Sequence, residues 1–489
     1  MGVKINSALR ILGILSLVLA ASMTIPFLLA VYYGESSLIK AFLLVIGICI
    51  FWGILIRITI KPSHKKLKTR DGFFVVSLSW FFCSLLGCLP FIFSGVLPNF
   101  FDAFFETSSG FTTTGSTILS NIEILPKSLL FWRSFTHWLG GMGIIVIVMA
   151  LLPALGINGQ IAAYAETPGP TKDKITAKFT DTAKILYGIY ASLTLAQVVL
   201  LKIGGMSLYD AFIHAFGSMG TGGFSNYNDS VGHFQSPFIQ IVIIIFMIIA
   251  GTNFNLFFLA RKKGIGVIFH DEEVKFYLST ISIASLLIFI YNAFYYDFED
   301  LGKTLLDSVF QTTSIITTTG FATTDFNLWP TFPKMVLLCL FFIGACSSST
   351  AGGIKCIRIL VCLKLLRRNV SLKIHPNRIA PVTVNNSELS TDVVIKITNF
   401  IFLYVAVIFS GTLLISINGF DFITTFSAVA TCVGNIGPGF NLLGPMENFS
   451  ILSNFSKFVC SILMIVGRLE LFTVIILFSG CYWNSNKSK

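Results

Sequence analysis

Four stretches of this 489-residue chain carry the residue types from which a cation site can be built. Aligned on a closing glycine, they read Thr112-Thr113-Thr114-Gly115, Gly220-Thr221-Gly222-Gly223, Thr317-Thr318-Thr319-Gly320 and Thr431-Cys432-Val433-Gly434. Thirteen residues ahead of each glycine stands an aspartate: Asp102, Asp210, Asp307 and Asp421. About a hundred residues separate successive copies, which marks an internal repeat. Four copies are enough to ring an axis. Backbone carbonyls turned toward an axis can replace the hydration shell of a cation. Glycine allows the unusual backbone this requires, because positive φ costs it nothing. The middle column, Thr113, Thr221, Thr318 and Cys432, adds three hydroxyls. Potassium suits such a site, since smaller cations hold their water more tightly. The plainer alternative is a set of re-entrant turns whose Thr and Gly pack helices closely. One copy alone would favour that alternative; four in register, each led by Asp, argue for a filter.

The elements that would position these residues are short helices. Residues 102–111 make about three turns, roughly 15 Å, too short to span a bilayer. An aspartate opening each copy suits an N-cap, where its carboxylate accepts from free backbone N–H groups. It also complements the positive end of the helix dipole, leaving the negative end aimed at the Thr/Gly segment. Non-helical backbone at membrane depth is tolerated only where it lines a cavity or is buried in protein.

Composition places the whole chain in a membrane. It is 54% hydrophobic and 12% charged, against roughly 25% charged in soluble domains. The net charge of +11 marks cytoplasmic loops rather than nucleic-acid binding. Ten cysteines are scattered without a CxxC pair or a His/Cys cluster, which predicts neither a disulfide framework nor a zinc site. Lys4 and Arg10 precede an apolar run that continues to Tyr33, so the first segment reads as a retained helix rather than a signal peptide. Ten segments are long and apolar enough to span: about 9–33, 38–60, 72–96, 128–152, 182–204, 236–260, 275–296, 333–366, 393–417 and 455–483. Basic clusters at 61–70, 166–184, 261–263 and 367–378 fall on one side together with both termini, which makes that side cytoplasmic. The four Thr/Gly stretches then open outward. Asp229, Asp297, Glu299, Asp300 and Glu447 flank them and would either concentrate cations at an outer mouth or be plain solvated loop charges.

The chain resembles the Trk/Ktr/HKT superfamily of potassium transporters, most closely its TrkH-type pore subunits. The residues that carry the resemblance are S-G-F-T-T-T-G-S (109–116), H-W-L-G-G-M-G (137–143), S-M-G-T-G-G-F-S (218–225), T-T-T-G-F (317–321), S-S-S-T-A-G-G-I-K (347–355), N-I-G-P-G (435–439) and G-R-L-E (467–470). The resemblance implies an all-α integral membrane protein of a bacterial cytoplasmic (inner) membrane. Four pseudo-symmetric helix–pore-loop–helix repeats would surround a central pore, with two extra N-terminal helices, ten spans in all. The divisions are 1–70 for the helix pair, then 71–170, 171–270, 271–380 and 381–489 for the repeats. The resemblance also implies K+ as transported ion, no covalently bound cofactor, a homodimer, and a cytoplasmic nucleotide-binding ring of the TrkA type that gates uptake. In the superfamily a Ser in place of the first filter glycine accompanies sodium transport. Glycine at 115, 223, 320 and 434 therefore points to potassium.

Two further features lie outside the filter. The segment 333–366 is too long for one straight span, and its middle, 346–353, is small, polar and Gly-paired. Such residues disfavour a continuous helix, and an interrupted helix would line the pore below the filter. The resemblance makes this the intramembrane gating loop, with Ser347, Ser348, Ser349, Gly352, Gly353 and Lys355 as its residues; a helix-packing face is the alternative. Arg468 stands within the apolar run 455–483, where charge is costly and usually functional. It is expected to donate to carbonyls of the 346–353 loop; pairing with Glu470 of another subunit, or snorkelling to an interface, are the alternatives. His137 reads as a packing residue on an apolar face. A sodium or mixed Na/K transporter of the same architecture is the nearest competing function. A membrane-embedded enzyme is the remote one: it would need a nucleophile–base pair or two carboxylates at depth, whereas the sequence offers no G-x-S-x-G and sets its Asp residues mainly at segment ends.

Overall fold

The computed structural model describes residues 5–60, 69–143, 179–378 and 380–479. The basic stretch 61–68 and most of 166–184 lie outside these residues, as do the ends of the predicted spans 128–152 and 455–483. Six helices are continuous and long enough to cross a membrane: Ala8–Tyr33, Ser36–Thr59, Asp71–Phe93, Ala183–Ile203, Glu272–Tyr295 and Thr391–Asn418. Two more spans are bent helix pairs, Pro237–Gly251 with Phe254–Lys263 at 90° and Asn454–Arg468 with Phe472–Phe478 at 110°. Among the described residues the only strands are the two-residue pair Thr383–Val384 and Ser387–Glu388.

Each repeat has an outer helix, a short pore helix and an inner helix. The pore helices are Phe100–Phe111, Leu208–Gly220, Leu301–Ile316 and Phe422–Gly434. Their central residues are buried almost throughout. The inner helices begin at Lys127, Pro237, Thr331 and Asn454. The first pore helix packs against the inner helices of repeats 1 and 4, the second against those of repeats 1 and 2, and the third against those of repeats 2 and 3. The fourth packs on its own inner helix and meets repeat 3 through Phe342 and Phe426, ring centroids 6.2 Å apart. Each pore helix is thus wedged between its own inner helix and that of the preceding repeat, and the set closes into a ring.

The segment 333–366 is interrupted, as its composition predicts. Helix Thr331–Leu340 gives way to irregular backbone, and Cys356–Ile374 resumes the helix. The other inner helices break at a similar place, which sequence reading did not anticipate. Helix Lys127–Gly141 stops at paired glycines, Pro237–Gly251 turns through Thr252 and Asn253, and Asn454–Arg468 turns through Leu469–Leu471. Glu470 and Leu471 take positive φ there, 57° and 56°. Two of these breaks follow a close approach. A Cβ at Gly140 would lie 1.8 Å from the Phe111 carbonyl oxygen, and one at Gly467 would lie 2.1 Å from that of Val433. Only glycine lets the inner helix touch the end of the pore helix there.

The N-terminal hairpin is a satellite of repeat 1. Gly13 and Gly53 bring its helices together: a Cβ at Gly53 would lie 2.9 Å from the Gly13 carbonyl oxygen. Ser16 donates across the pair to the Cys49 carbonyl, 3.0 Å. At the hairpin turn Glu35 accepts from the backbone N–H groups of Lys127 (2.8 Å) and Ser128 (3.2 Å). That carboxylate caps the inner helix of repeat 1 in place of the side-chain cap Pro126 cannot supply.

Candidate ion filter and intramembrane loop

After each pore helix the chain makes the same turn. A left-handed residue comes first: Thr113, Thr221, Thr318 and Asn435, all with φ between 54° and 55°. Two residues later stands a glycine of positive φ: Gly115 (86°), Gly223 (76°), Gly320 (81°) and Gly437 (111°). The residue between them donates its N–H five positions back, Thr114 to Ser109 (2.9 Å), Gly222 to Gly217 (2.8 Å), Thr319 to Ser314 (2.9 Å) and Ile436 to Thr431 (3.0 Å). Dihedrals and hydrogen bonds give one alignment of the four copies.

That alignment corrects the fourth copy. Thr431, Cys432 and Val433 lie in the pore helix, and Gly434 is its last residue. The segment equivalent to 112–115 is Gly434-Asn435-Ile436-Gly437. The thirteen-residue spacing misled because the aspartate of this repeat sits three residues earlier, nearly one helical turn. Thr424 occupies the place equivalent to Asp102, and Asp421 bonds to it through both backbone N–H (3.1 Å) and hydroxyl.

The expectation that all four aspartates are N-caps is also corrected. Asp421 alone is one. Its carboxyl is held below the usual carboxylate range by the Thr424 hydroxyl first, then by the N–H of Thr424 and the Asn441 amide. The other caps are Asn99, Ser207 and Asp300. Asp102 lies in the first turn and pairs with Lys457, 2.7 Å. Asp210 accepts from the Asn226 amide (2.8 Å) and Asp307 from the Thr323 hydroxyl (2.7 Å). Asp210 and Asp307 tie the pore helix to the segment that follows its Thr/Gly turn, whereas Asp102 ties it to the inner helix of repeat 4. The helices start further upstream than the sequence repeat suggested, where Asn, Ser and Asp are equally able to cap.

The four glycines interlock. A Cβ at Gly115 would lie 2.1 Å from the carbonyl oxygen of Gly222, one at Gly223 2.0 Å from that of Thr319, one at Gly320 2.2 Å from that of Ile436, and one at Gly437 2.9 Å from that of Thr114. Repeat 1 meets 2, 2 meets 3, 3 meets 4, and 4 meets 1. Among the described residues no donor reaches the carbonyls of Thr114, Gly222, Thr319 or Ile436. All four glycines line one cavity of about 310 Å³, whose lining includes Glu447. Of the other acidic flank residues, Asp300 caps a pore helix and Asp229 lies 3.7 Å from His233.

Hydroxyls in the ring are not equivalent. The Thr318 hydroxyl accepts from Gly352 N–H (2.7 Å), and that of Thr221 donates to the Gly220 carbonyl (2.7 Å). Thr113 Oγ1 and Asn435 Oδ1 are buried with no hydrogen-bond partner among the described residues. Thr112 and Thr317 turn back to the pore-helix carbonyls of Ser108 and Thr313.

Behind the filter lies a network that sequence reading missed. Arg133 is buried, with Nε 2.6 Å from Glu106 and a second nitrogen 2.9 Å from the Ser225 carbonyl. Glu106 also accepts from Ile118 N–H (3.0 Å) and the Thr117 hydroxyl. One ion pair thereby braces the exits of repeats 1 and 2. The signal available was the pair of charges in otherwise apolar helices. His137 packs, as expected: its ring lies 4.0 Å from that of Phe224 and fills the space a side chain at Gly222 would need.

The intramembrane loop lies directly beneath. Gly352 approaches so closely that a Cβ would be 2.5 Å from the Gly434 carbonyl oxygen. Arg468 donates to the Thr350 carbonyl (2.5 Å) and to those of Gly140 (2.7 Å) and Gly141 (3.0 Å). The Arg–carbonyl bond expected for the loop is therefore present, and the same guanidinium caps the inner helix of repeat 1. Lys355 donates within the loop to Ala351. Ser348 (φ 52°) accepts from Phe254 N–H, 3.1 Å, and Gly353 has φ 67°. Ser347 is held by Glu273, and Ser349 donates to Cys346, 2.6 Å. Within the chain Glu470 pairs with Arg358 at 2.5 Å.

The TrkH family model, described as a cation transport protein, matches residues 38–485. The chain belongs to the TrkH family. It is similar to the Trk system potassium uptake protein TrkH of Halomonas elongata, 35% identical over 98% of this chain and 99% of that one. The TrkH of Escherichia coli K12 is 36% identical over 97% and 98%. The crystal structure of the potassium transporter TrkH from Vibrio parahaemolyticus superposes with a TM-score of 0.88, at 34% identity, over 98% of this chain and all of that one. The all-α membrane architecture is that of a TrkH protein, and the family is one of transporters, not of enzymes.

Proposed function

We propose that this chain is the pore subunit of a Trk-type system and takes up potassium across the bacterial cytoplasmic membrane. The closed ring of glycines and unpartnered carbonyls is the observation that carries this reading. The proposed ligands come from Thr112–Gly115, Gly220–Gly223, Thr317–Gly320 and, in the corrected register, Gly434–Gly437. The pore-forming units are the repeats 71–170, 171–270, 271–380 and 381–489. Carbonyls without donors are ready to replace a hydration shell, and pore-helix C-termini supply negative potential at the same place. Glycine at all four ring positions favours potassium over sodium.

The loop of Ser347, Ser348, Ser349, Gly352, Gly353 and Lys355, pinned by Arg468, is the proposed gate. Its support is position: it bonds the Thr318 hydroxyl and sits under the Gly434 carbonyl. A homodimer and a TrkA-like cytoplasmic nucleotide-binding ring, which would act on this loop from the side bearing Arg261–Lys263 and Arg367–Arg378, complete the proposed assembly. Both termini lie on that cytoplasmic side.

The test is growth. A cell lacking its own potassium uptake systems, expressing this chain with a Trk regulatory subunit, is expected to grow at limiting potassium. Rubidium should compete, and sodium should compete far less. Absence of rescue despite membrane expression, or equal competition by sodium, would remove the reading.

A further inference from the structure

We infer that Glu273 is the positioning residue that keeps the intramembrane loop closed, because its single carboxylate binds both ends of that loop. One oxygen accepts from the N–H of Ser347 (2.6 Å) and of Ile357 (3.1 Å), and the other from the Ser347 hydroxyl (2.7 Å). Ser347 opens the small polar stretch. Ile357 is the second residue of helix Cys356–Ile374, where a free N–H and the helix dipole both attract an anion. Glu273 is buried, 4% exposed, and forms no ion pair among the described residues: Lys355, the nearby cation, donates to Ala351 and Ser349. A carboxylate at that depth is costly unless its hydrogen bonds are made, so the loop ends and the carboxylate hold one another.

The turn that carries Glu273 is itself fixed from the cytoplasmic side. The Asn385 amide donates to Asp271 (2.7 Å) and accepts from Glu272 N–H (2.9 Å). Lys364 contacts Glu272 and donates to the Thr383 carbonyl, 2.7 Å. Glu273 therefore stands between the loop and the hairpin 383–388. Arg468 holds the middle of the loop from the opposite side through Thr350.

The inference rests on the loop being a gate, and the experiment separates the two. Rubidium flux is measured into proteoliposomes holding the full chain without a regulatory subunit, for wild type, Arg468→Ala, Glu273→Gln, Ser347→Ala and the Glu273→Gln/Ser347→Ala pair. If Glu273 holds the gate, Glu273→Gln raises flux, on the order of tenfold, while the rubidium-to-sodium ratio stays at the wild-type value. Ser347→Ala raises it less. The double variant falls short of the product of the two, because both remove one interaction. A merely structural role would lower flux or degrade selectivity instead. If Arg468→Ala raises flux and Glu273→Gln does not, the latch is overturned and the gate stands. If neither raises it, the gate reading falls and this inference with it. Should Glu273→Gln fail to reach the membrane, Glu273→Asp, which keeps charge but shortens reach, is read by the same criteria.

Discussion

At the scale of single residues the decisive positions are four glycines, each facing a neighbour's carbonyl. Gly115, Gly223, Gly320 and Gly437 combine positive φ with a backbone oxygen where a Cβ would be. Gly434 does not: its φ is ordinary, and an added Cβ would meet mainly the Ile436 side chain, 2.9 Å away. The two fourth-repeat glycines should therefore respond differently. Gly437→Ala is expected to reduce rubidium-over-sodium discrimination by about tenfold, equivalent to about 1.4 kcal/mol. Gly434→Ala should change it less. Flux ratios in proteoliposomes decide, and the opposite ranking would restore the register suggested by the Asp–Gly spacing.

Elements are held in place by buried charge. The Arg133–Glu106 pair links the inner helix of repeat 1, its pore helix and the segment that follows the turn of repeat 2. Arg133 also lies over the Phe224 ring, 3.5 Å from its centroid. Removing one partner of a buried pair costs about 3–5 kcal/mol, whereas replacing both is often tolerated. Arg133→Met should lower the thermal midpoint of the detergent-solubilised protein strongly. Adding Glu106→Gln should recover part of the loss. A double variant as unstable as Arg133→Met, or more so, would show that the arginine acts through its contacts to Ser225 and Phe224 alone.

For the whole molecule the testable property is orientation in the membrane. Basic residues Arg261, Lys262 and Lys263 end helix Phe254–Lys263, and Glu447 lines the cavity that holds the four glycines. By the positive-inside rule the basic residues would face the cytoplasm, as proposed. In intact cells a membrane-impermeant thiol reagent should label Glu447→Cys and spare Arg378→Cys; permeabilisation should expose the second. The reverse pattern would invert the proposed direction of every pore helix.

Hydrophobic length and the recurring Thr/Gly stretches were enough, by sequence alone, to define an all-helical membrane protein with four short re-entrant elements. They were enough because bilayer thickness and backbone hydrogen bonding leave few alternatives. The interruption at 346–353 was legible for the same reason. Register was not. Spacing between Asp421 and Gly434 matched the other repeats by chance, since a shift of three residues on a helix preserves the face while moving the turn. Caps at Asn99, Ser207 and Asp300 were hidden because helix starts depend on what covers them. Glu106–Arg133 and Glu273–Ser347 join residues 27 and 74 positions apart, and no local pattern announces such partners. Only tertiary structure decided which oxygens face the axis, because that follows from how four repeats close on one another.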